Sequence, residues 1–318
     1  MPTHNKDLDC SVLNLKTTDG RCTMELLPDV GGLINRLCLS DLAGQSVELI
    51  AGLRSLTEIQ HNIQYRGVVL YPFPNRLDKG AYSHGGKHYT LTQNEADNAT
   101  ALHGFLYQLP AKIVNVQEGL HESLVALEYC YQGQFPGYPF QAKITIEYRL
   151  SSTLGLSMRF AVINRHSDPV PVGLGWHPYF QLGRPVDELE LVLPEVEHVQ
   201  VDSRLLPTGK VEAYSEFQVL KSMAGKVFDD CFRVLDRQSP AEAKVVLYSP
   251  KDKIGMEVWQ SSGPQGYNFI QLCIPPDRQS IAIEPMTCGI NAFNTRDGLL
   301  ELAPEAELSV DCGVRLTN

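Results

Sequence analysis

The run "FQAKITIEYRL" (140–150) alternates without interruption. Phe140, Ala142, Ile144, Ile146, Tyr148 and Leu150 fall on one side, and Gln141, Lys143, Thr145, Glu147 and Arg149 on the other. A period of two residues is the signature of a half-buried strand. After "SSTLG" the pattern resumes with Leu156, Met158, Phe160 and Val162, so 140–164 reads as an antiparallel hairpin. "GAYSHGGKHYTL" (80–91) reads as a second, with Gly85-Gly86 as its primed turn. "DELELVLPEV", "AKVVLYSP", "IGMEVWQ", "YNFIQLCI", "QSIAIEP" and "ELSVDCGVRL" are further strand-length segments between turn residues. Helix patterns are scarce, and "SVELIAGLRSLTEIQHN" (46–62) holds at most one short helix or turn. There is no βαβ rhythm, internal repeat or linker of biased composition. The expectation is an all-β antiparallel sandwich or barrel, as one domain over 1–318.

Hydrophobic content of 43% and charged content of 20% are ordinary for a soluble globular chain with a sizeable core. A formal charge of −10 argues against a nucleic-acid or anionic-membrane partner, because it offers no basic field to phosphates. "MPTHNKDLDCS" lacks the apolar core of a secretory signal, and no stretch approaches the roughly 20 apolar residues of a membrane span. A cytoplasmic protein is expected. None of the eight cysteines forms C-x-x-C, and most lie in apolar runs, as Cys130 in "LEYCY" and Cys273 in "IQLCIP". They read as buried reduced thiols rather than a disulfide framework or zinc site.

Against this background a few residues stand out. "GLGWHPYF" (173–180) looks like a buried strand, with Leu174, Trp176, Pro178 and Phe180 on one face and Gly175, His177 and Tyr179 on the other. The glycine beside the imidazole suggests space for a ligand. In "SIAIEPMTCGINAFN" (280–294), Ile281 and Ile283 share one face, and Ala282, Glu284 and Met286 the other. A glutamate in an apolar strand is costly to bury unless paired or functional; the bland alternative is an edge strand with Glu284 facing water. His177 and Glu284 each precede a proline, which stiffens the backbone and points to an edge or bulge. His103 in "NATALHGFLYQ" reads as a loop residue entering a strand. Arg76, after Asn75 in "PFPNRLDKG", is either a surface arginine tied to Asp78 or a donor fork for substrate. Asp229 and Asp230 precede Cys231-Phe232, where a turn is the commoner meaning. His84 and His88 straddle a hairpin turn, a poor arrangement for a metal. Phosphate loops, G-x-S-x-G and H-E-x-x-H are absent.

Taken in order, four stretches resemble the aldose 1-epimerases, the galactose mutarotase-like proteins. Asn75-Arg76 is similar to the family's "N-R", Leu102-His103-Gly104 to its "L-H-G", and His177-Pro178-Tyr179-Phe180 to its "H-x-Y-F". Glu284-Pro285 with Ala292-Phe293-Asn294 resembles its C-terminal glutamate motif. The resemblance spans roughly residues 20 to 315. It implies a large antiparallel β-sandwich, the galactose mutarotase-like supersandwich, with few short helices and a sugar in an open cleft. By the same resemblance His177 is the acid at the ring oxygen and Glu284 the base at the anomeric hydroxyl. His103 joins them as a third catalytic residue, a donor to the substrate, while Arg76, Asn75, Tyr179 and Asp229 (the "D-x-x-F" aspartate, with Asp230 the competing choice) are substrate contacts. Two departures touch the pocket: "G-R-x-A-N-R" is "YPFPNR" here, and "LHGG" is "LHGF", so that Phe105 is expected to narrow the entrance.

The chemistry suits these residue types on its own terms. Interconverting α and β anomers needs a proton removed from the C1 hydroxyl and one delivered to the ring oxygen, which an acid and a base on opposite sides of the sugar can do. A histidine titrates near neutrality, and a shielded glutamate has a raised pKa suited to a base. Neither metal nor other cofactor is required. The expected activity is an isomerase, an aldose 1-epimerase acting on a free hexose. Two alternatives stand beside it: a hexose-6-phosphate 1-epimerase, and a non-catalytic carbohydrate-binding sandwich. A sugar is the expected partner, and the protein a monomer or homodimer.

Overall fold

The computed structural model describes residues 2–5, 10–235 and 239–317. Two antiparallel sheets dominate. The nine-stranded sheet runs through Lys112–Glu118, Glu122–Tyr131, Ala142–Ser151, Gly155–Asn164, Glu307–Thr317, Ile254–Ser262 and Ala241–Ser249, and ends on two short strands. The eight-stranded sheet has the order Pro207–Tyr214, Val196–Val201, Asp229–Val234, Phe269–Cys273, Ile281–Met286, Gly175–Trp176 and Val69–Leu70. Tyr179–Phe180 pairs with Ile281–Met286 as well. A five-stranded sheet closes the N-terminal side. The all-β sandwich expectation holds.

Both expected hairpins are present. Ala142–Ser151 pairs with Gly155–Asn164 in unbroken register from Ala142↔Asn164 to Ser151↔Gly155. Gly85 and Gly86, with φ of 56° and 75°, turn Ala81–His84 into Lys87–Thr90, the positive-φ pair that a primed turn requires. The short helix expected within 46–62 is Leu56–His61, capped by Ser55 and with no buried residue of its own. None of the helices among the described residues is long and apolar enough to cross a membrane. Six of the cysteines are buried, but Cys130 is exposed: its strand's alternation turns it away from the core occupied by Tyr129 and Tyr131.

One continuous core joins the two large sheets. Ile144, Ile146, Tyr148, Phe160 and Val162 from the first pack in the same cluster as Trp176, Phe180, Ile270, Leu272, Ile281 and Ile283 from the second. With alternate residues committed inward, Gln271, Glu284, His177 and Tyr179 stand on the opposite face of the eight-stranded sheet. That face is itself covered, so every residue of Ile281–Met286 is buried. The strand lies inside the sheet, which corrects the edge or bulge expected from Pro178 and Pro285. Proline is tolerated because His177-Pro178 interrupts the neighbouring strand at the same level, dividing it into Gly175–Trp176 and Tyr179–Phe180.

Two further expectations change. Gly175 does not open space for a ligand: a Cβ there would meet Leu70 Cδ1 and Pro74 Cβ at 3.0 Å, so the glycine serves close packing. Phe105 does not narrow an entrance; it is buried in an aromatic cluster, stacked on Phe135 at 4.3 Å and edge-on to Tyr71 at 5.9 Å.

Gly104 locks the segment bearing His103 against the one bearing Pro72. Its φ is 66°, and a Cβ would come within 2.1 Å of the Tyr71 carbonyl oxygen. Gly183 has a similar φ of 68°, and a Cβ there would meet nothing within 4 Å among the described residues. Gly183→Ala is expected to cost about 1–2 kcal/mol, the left-handed penalty alone. Gly104→Ala should cost about 1–3 kcal/mol more, the size of an overpacked core. Urea denaturation of the two variants measures the difference, and equal midpoints would show that the Tyr71 approach carries no weight.

Candidate functional site

The site follows from strand pairing. Gly175 pairs with Met286 and Tyr179 with Ala282, so two steps inward from either pair bring His177 opposite Glu284. The main chain of His177 turns the other way, donating to Val68 O at 2.9 Å and accepting from Gly67 N at 2.8 Å. The two residues are therefore a non-hydrogen-bonded cross-strand pair, the arrangement in which side chains come closest. His177 Nε2 lies 3.2 Å from Glu284 Oε1.

His103 reaches the same place from the pairing of Thr100–Leu102 with Arg76–Asp78. It leaves a strand rather than entering one, and it is 5% exposed, not a solvated loop histidine. His103 N donates to Asn75 O at 2.9 Å, and Asn75 N donates to His103 Nδ1 at 3.1 Å. A backbone N–H can only donate, so Nδ1 is the acceptor and the neutral ring carries its proton on Nε2. The imidazoles of His103 and His177 meet edge to face at 4.9 Å, with Tyr65 against His103 at 4.8 Å and Tyr179 stacked on His177 at 5.3 Å. Tyr65, Asn75 and His103 all hold positive φ, at 53°, 60° and 63°. Such backbone strain concentrates where a surrounding structure fixes side chains for function.

Arg76 is tied to Glu95, not Asp78: Nε and Nη2 engage both carboxylate oxygens at 2.8–3.3 Å, while Asp78 pairs with Arg204. Burial would raise the Glu95 carboxyl, but hydrogen bonds from Arg76 and Thr100 outweigh it and hold the group below its usual value. Asn75 Nδ2 donates to Gln271 Oε1 and Gln271 Nε2 donates to Asp229 Oδ1, each at 3.0 Å. Gln271 sits directly opposite Glu284 in the sheet. Of the two adjacent acids, Asp229 therefore joins the site, while Asp230 turns away to His198 at 2.8 Å. Although Asp229 is exposed as a residue, the protein crowding its carboxyl raises its pKa, with Arg76 opposing.

All seven expected site residues thus assemble around one sheet face. Gln271, Tyr65 and Glu95 were not singled out in the sequence. Gln271 carries the signal that marked Glu284, a polar side chain inside an apolar strand; the other two lie in irregular segments without a pattern.

Burial sets the electrostatics. It pushes His177 down to about 3, with Arg66 and Arg76 adding to the effect, and it holds His103 well below the usual histidine value. It pushes Glu284 well above the usual carboxylate range, reinforced by Asp229. Each member of the buried pair is driven toward its neutral form by burial. Among the described residues, Nδ1 of His177 has no hydrogen-bond partner outside its own residue, and Oε2 of Glu284 has none. His103, His177 and Glu284 also offer ligand atoms within 4.8 Å of one another, a donor set that zinc accepts and that the sequence did not lead one to expect.

A family model for aldose 1-epimerases matches residues 15–315. The chain belongs to the aldose 1-epimerase family. Among curated relatives, it is 29% identical to an uncharacterized protein, YihR, of Escherichia coli K12, over 84% of this chain and 87% of that protein. It is 28% identical to the galactose mutarotase of Mus musculus, over 57% of this chain but only 52% of the mouse protein. The match thus spans about half the length of the curated galactose mutarotases. Among solved structures, a galactose mutarotase-like protein from Clostridium acetobutylicum superposes with a TM-score of 0.86 at 22% identity, covering 99% and 100% of the two chains. An aldose epimerase homologue from C. elegans gives 0.81 at 21% identity, covering 96% and 98%. These structural likenesses establish the galactose mutarotase-like fold.

The buried histidines make stability depend on pH with a definite sign. His103 takes up its proton in the unfolded chain near 6.5 but only well below that when folded. Acidification below 6.5 therefore favours unfolding, by up to about 1.4 kcal/mol per pH unit for each such group. His103→Asn should flatten the dependence of unfolding free energy on pH between 5 and 6.5 by up to about that amount. Urea titrations at several pH values check this; an unchanged slope would mean that His103 titrates normally in the folded protein.

Proposed function

We propose that the protein is an aldose 1-epimerase of 1–318 as one cytoplasmic domain, interconverting the α and β anomers of a free hexose. The observation that supports it is the 3.2 Å approach of His177 Nε2 to Glu284 Oε1 on a buried sheet face. The ring oxygen and the anomeric hydroxyl oxygen are geminal, both bonded to C1. An acid and a base acting on them can be neighbours, and the adjacency suits the reaction.

Glu284 takes the proton of the C1 hydroxyl while His177 delivers one to the ring oxygen; the C1–O5 bond breaks as the C1=O double bond forms. Rotation about C1–C2 presents the other face of the aldehyde, and the steps reverse. The enzyme ends with the proton it began with. Only the tautomer with carboxylate and imidazolium starts this sequence, and the proton reaches it across the His177–Glu284 contact. His103 donates from Nε2 to a substrate oxygen, with Arg76 beside it. Asn75, Gln271 and Asp229 form a hydrogen-bonded row that holds the floor, and Tyr179 backs His177. A free sugar suits the site better than a phosphorylated one, because the nearby arginines are already engaged: Arg76 by Glu95, Arg66 by Ala51 O, Ser280 Oγ and Gln64 Oε1.

His177→Asn and Glu284→Gln should each slow anomer exchange by at least about a hundredfold while sugar affinity changes little, as for the loss of a group acting in the transition state. Exchange-spectroscopy NMR reads the rate, and calorimetry the affinity. Normal exchange in either variant contradicts the assignment. The wild-type rate should fall in acid as the pair gains a second proton, and in base as it loses its only one.

The same three residues could instead hold a metal, and the two uses separate cleanly. Exhaustive chelation and dialysis should leave exchange intact. Loss of activity on chelation with recovery on adding one divalent ion would overturn the metal-free mechanism.

A further inference from the structure

Asn94 is exposed, yet its amide group touches three elements around the site. Oδ1 accepts from Leu102 N at 2.7 Å, and Nδ2 donates to Leu102 O at 3.0 Å. The side chain thus meets Leu102 as a neighbouring strand would, on the side turned away from Arg76. Nδ2 also reaches the hydroxyl oxygens of Tyr65 at 2.9 Å and Tyr107 at 3.3 Å. The next residue, Glu95, grips Arg76. Two adjacent side chains therefore hold the strands that carry Arg76 and His103.

Tyr65 is also fixed through its main chain. Its N–H donates to Asn62 O at 2.9 Å and its carbonyl accepts from Val68 N at 3.3 Å, while Gly67 and Val68 bond the main chain of His177. A φ of 53° is strained for a tyrosine, and such a value persists where the surroundings over-determine it. The ring stands edge-on to Tyr107 at 5.4 Å and packs on the His103 imidazole at 4.8 Å.

The His103 ring has one nitrogen committed. Nδ1 accepts from Asn75 N at 3.1 Å, which leaves the Nε2 proton for a substrate oxygen. One hydrogen bond by itself leaves an imidazole free to swing about its Cβ–Cγ bond. The rings of Tyr65 and His177 bound it, at 4.8 and 4.9 Å. His177 has its own part in the proposed reaction, whereas Tyr65 has none.

We propose that Asn94 and Tyr65 are positioning residues for His103. The Asn94 amide fixes at once the Leu102 peptide before the histidine and the hydroxyl of Tyr65, and the Tyr65 ring holds the imidazole with Nε2 toward the substrate. The part of His103 as a substrate donor rests on the activity proposed above.

The test uses Asn94→Ala, Tyr65→Leu and Tyr65→Phe, each alone and combined with His103→Asn. Anomer exchange of glucose and galactose by NMR gives kcat and KM, and calorimetry gives Kd. Side-chain 1H–15N spectra at a pH of about 8, where a free imidazole is neutral, give the His103 tautomer. The wild type should show the Nε2–H tautomer, and Asn94→Ala and Tyr65→Leu a mixture, because a ring that can leave Asn75 N takes up both forms. The same two variants should raise KM and Kd about three- to tenfold, the worth of one net hydrogen bond, with kcat changing less. Tyr65→Phe keeps the packing and loses only the hydroxyl held by Asn94, so it should fold and raise KM about threefold. With His103→Asn in place, each substitution should change KM and Kd by less than about twofold, since the residue being positioned is gone.

The proposal is overturned if the His103 tautomer is unaltered in Asn94→Ala and Tyr65→Leu, if KM and Kd are unmoved in all three variants, or if their effects persist undiminished with His103→Asn. A tautomer mixture in the variants of a protein that interconverts no anomers removes the activity and leaves the positioning standing. Normal exchange with effects that add to those of His103→Asn removes the positioning and leaves the activity standing.

Discussion

An ionisable pair buried between two strands is the constraint on which this site depends. Glu284 is 1% exposed and His177 5%, and each lies on a sheet face covered by loops. Burying a carboxylate or an imidazolium alone is costly enough that such groups discharge or pair. Here they sit opposite each other at 3.2 Å, and burial drives each toward the neutral form that the interior tolerates. The pairing is a consequence of register: shifting the Glu284 strand by one residue would turn its carboxylate into the core and bring Ile283 to the site.

The remaining geometry keeps that register and fills the space around it. Pro178 and Pro285 remove two donors at the level of the pair, where Ile283 N still donates to Pro178 O at 3.3 Å. The Asn75–Gln271–Asp229 row runs across the neighbouring strands and ties the His103 segment to the floor. Arg76 is held in its bidentate fork by Glu95, so it faces the site from a fixed position without adding an unpaired charge. Gly104 lets the chain approach Tyr71 closely enough for His103 to reach inward.

Much of this was legible in the sequence, for identifiable reasons. Alternation is local, so the 140–164 and 80–91 hairpins and the two faces of the Glu284 strand could be read directly. The motifs around Asn75, His103, His177 and Glu284 carried the family, and with it the candidate residues that gather on one sheet face. Strand order is not local. Nothing in "SIAIEP" tells whether the strand is at an edge or inside a sheet, since that depends on partners at Gln271 and Gly175 far along the chain. The purpose of a glycine is equally non-local: Gly175 makes room for Leu70 and Pro74, not for a ligand. Phe105 followed the family comparison toward the entrance, but the aromatic cluster of Tyr71, Phe135 and Tyr138 takes it inward. Tyr65 and Glu95 come from irregular segments whose positions are set only by tertiary packing.

The most direct test of the account is a crystal structure of the protein with a bound hexose, refined well enough to orient the ring. The account expects the anomeric oxygen within about 2.6–3.2 Å of the Glu284 carboxylate and the ring oxygen at a similar distance from His177 Nε2. A sugar bound with its C4 or C6 edge against the pair, its C1 and ring oxygen out of reach of both side chains, would contradict it.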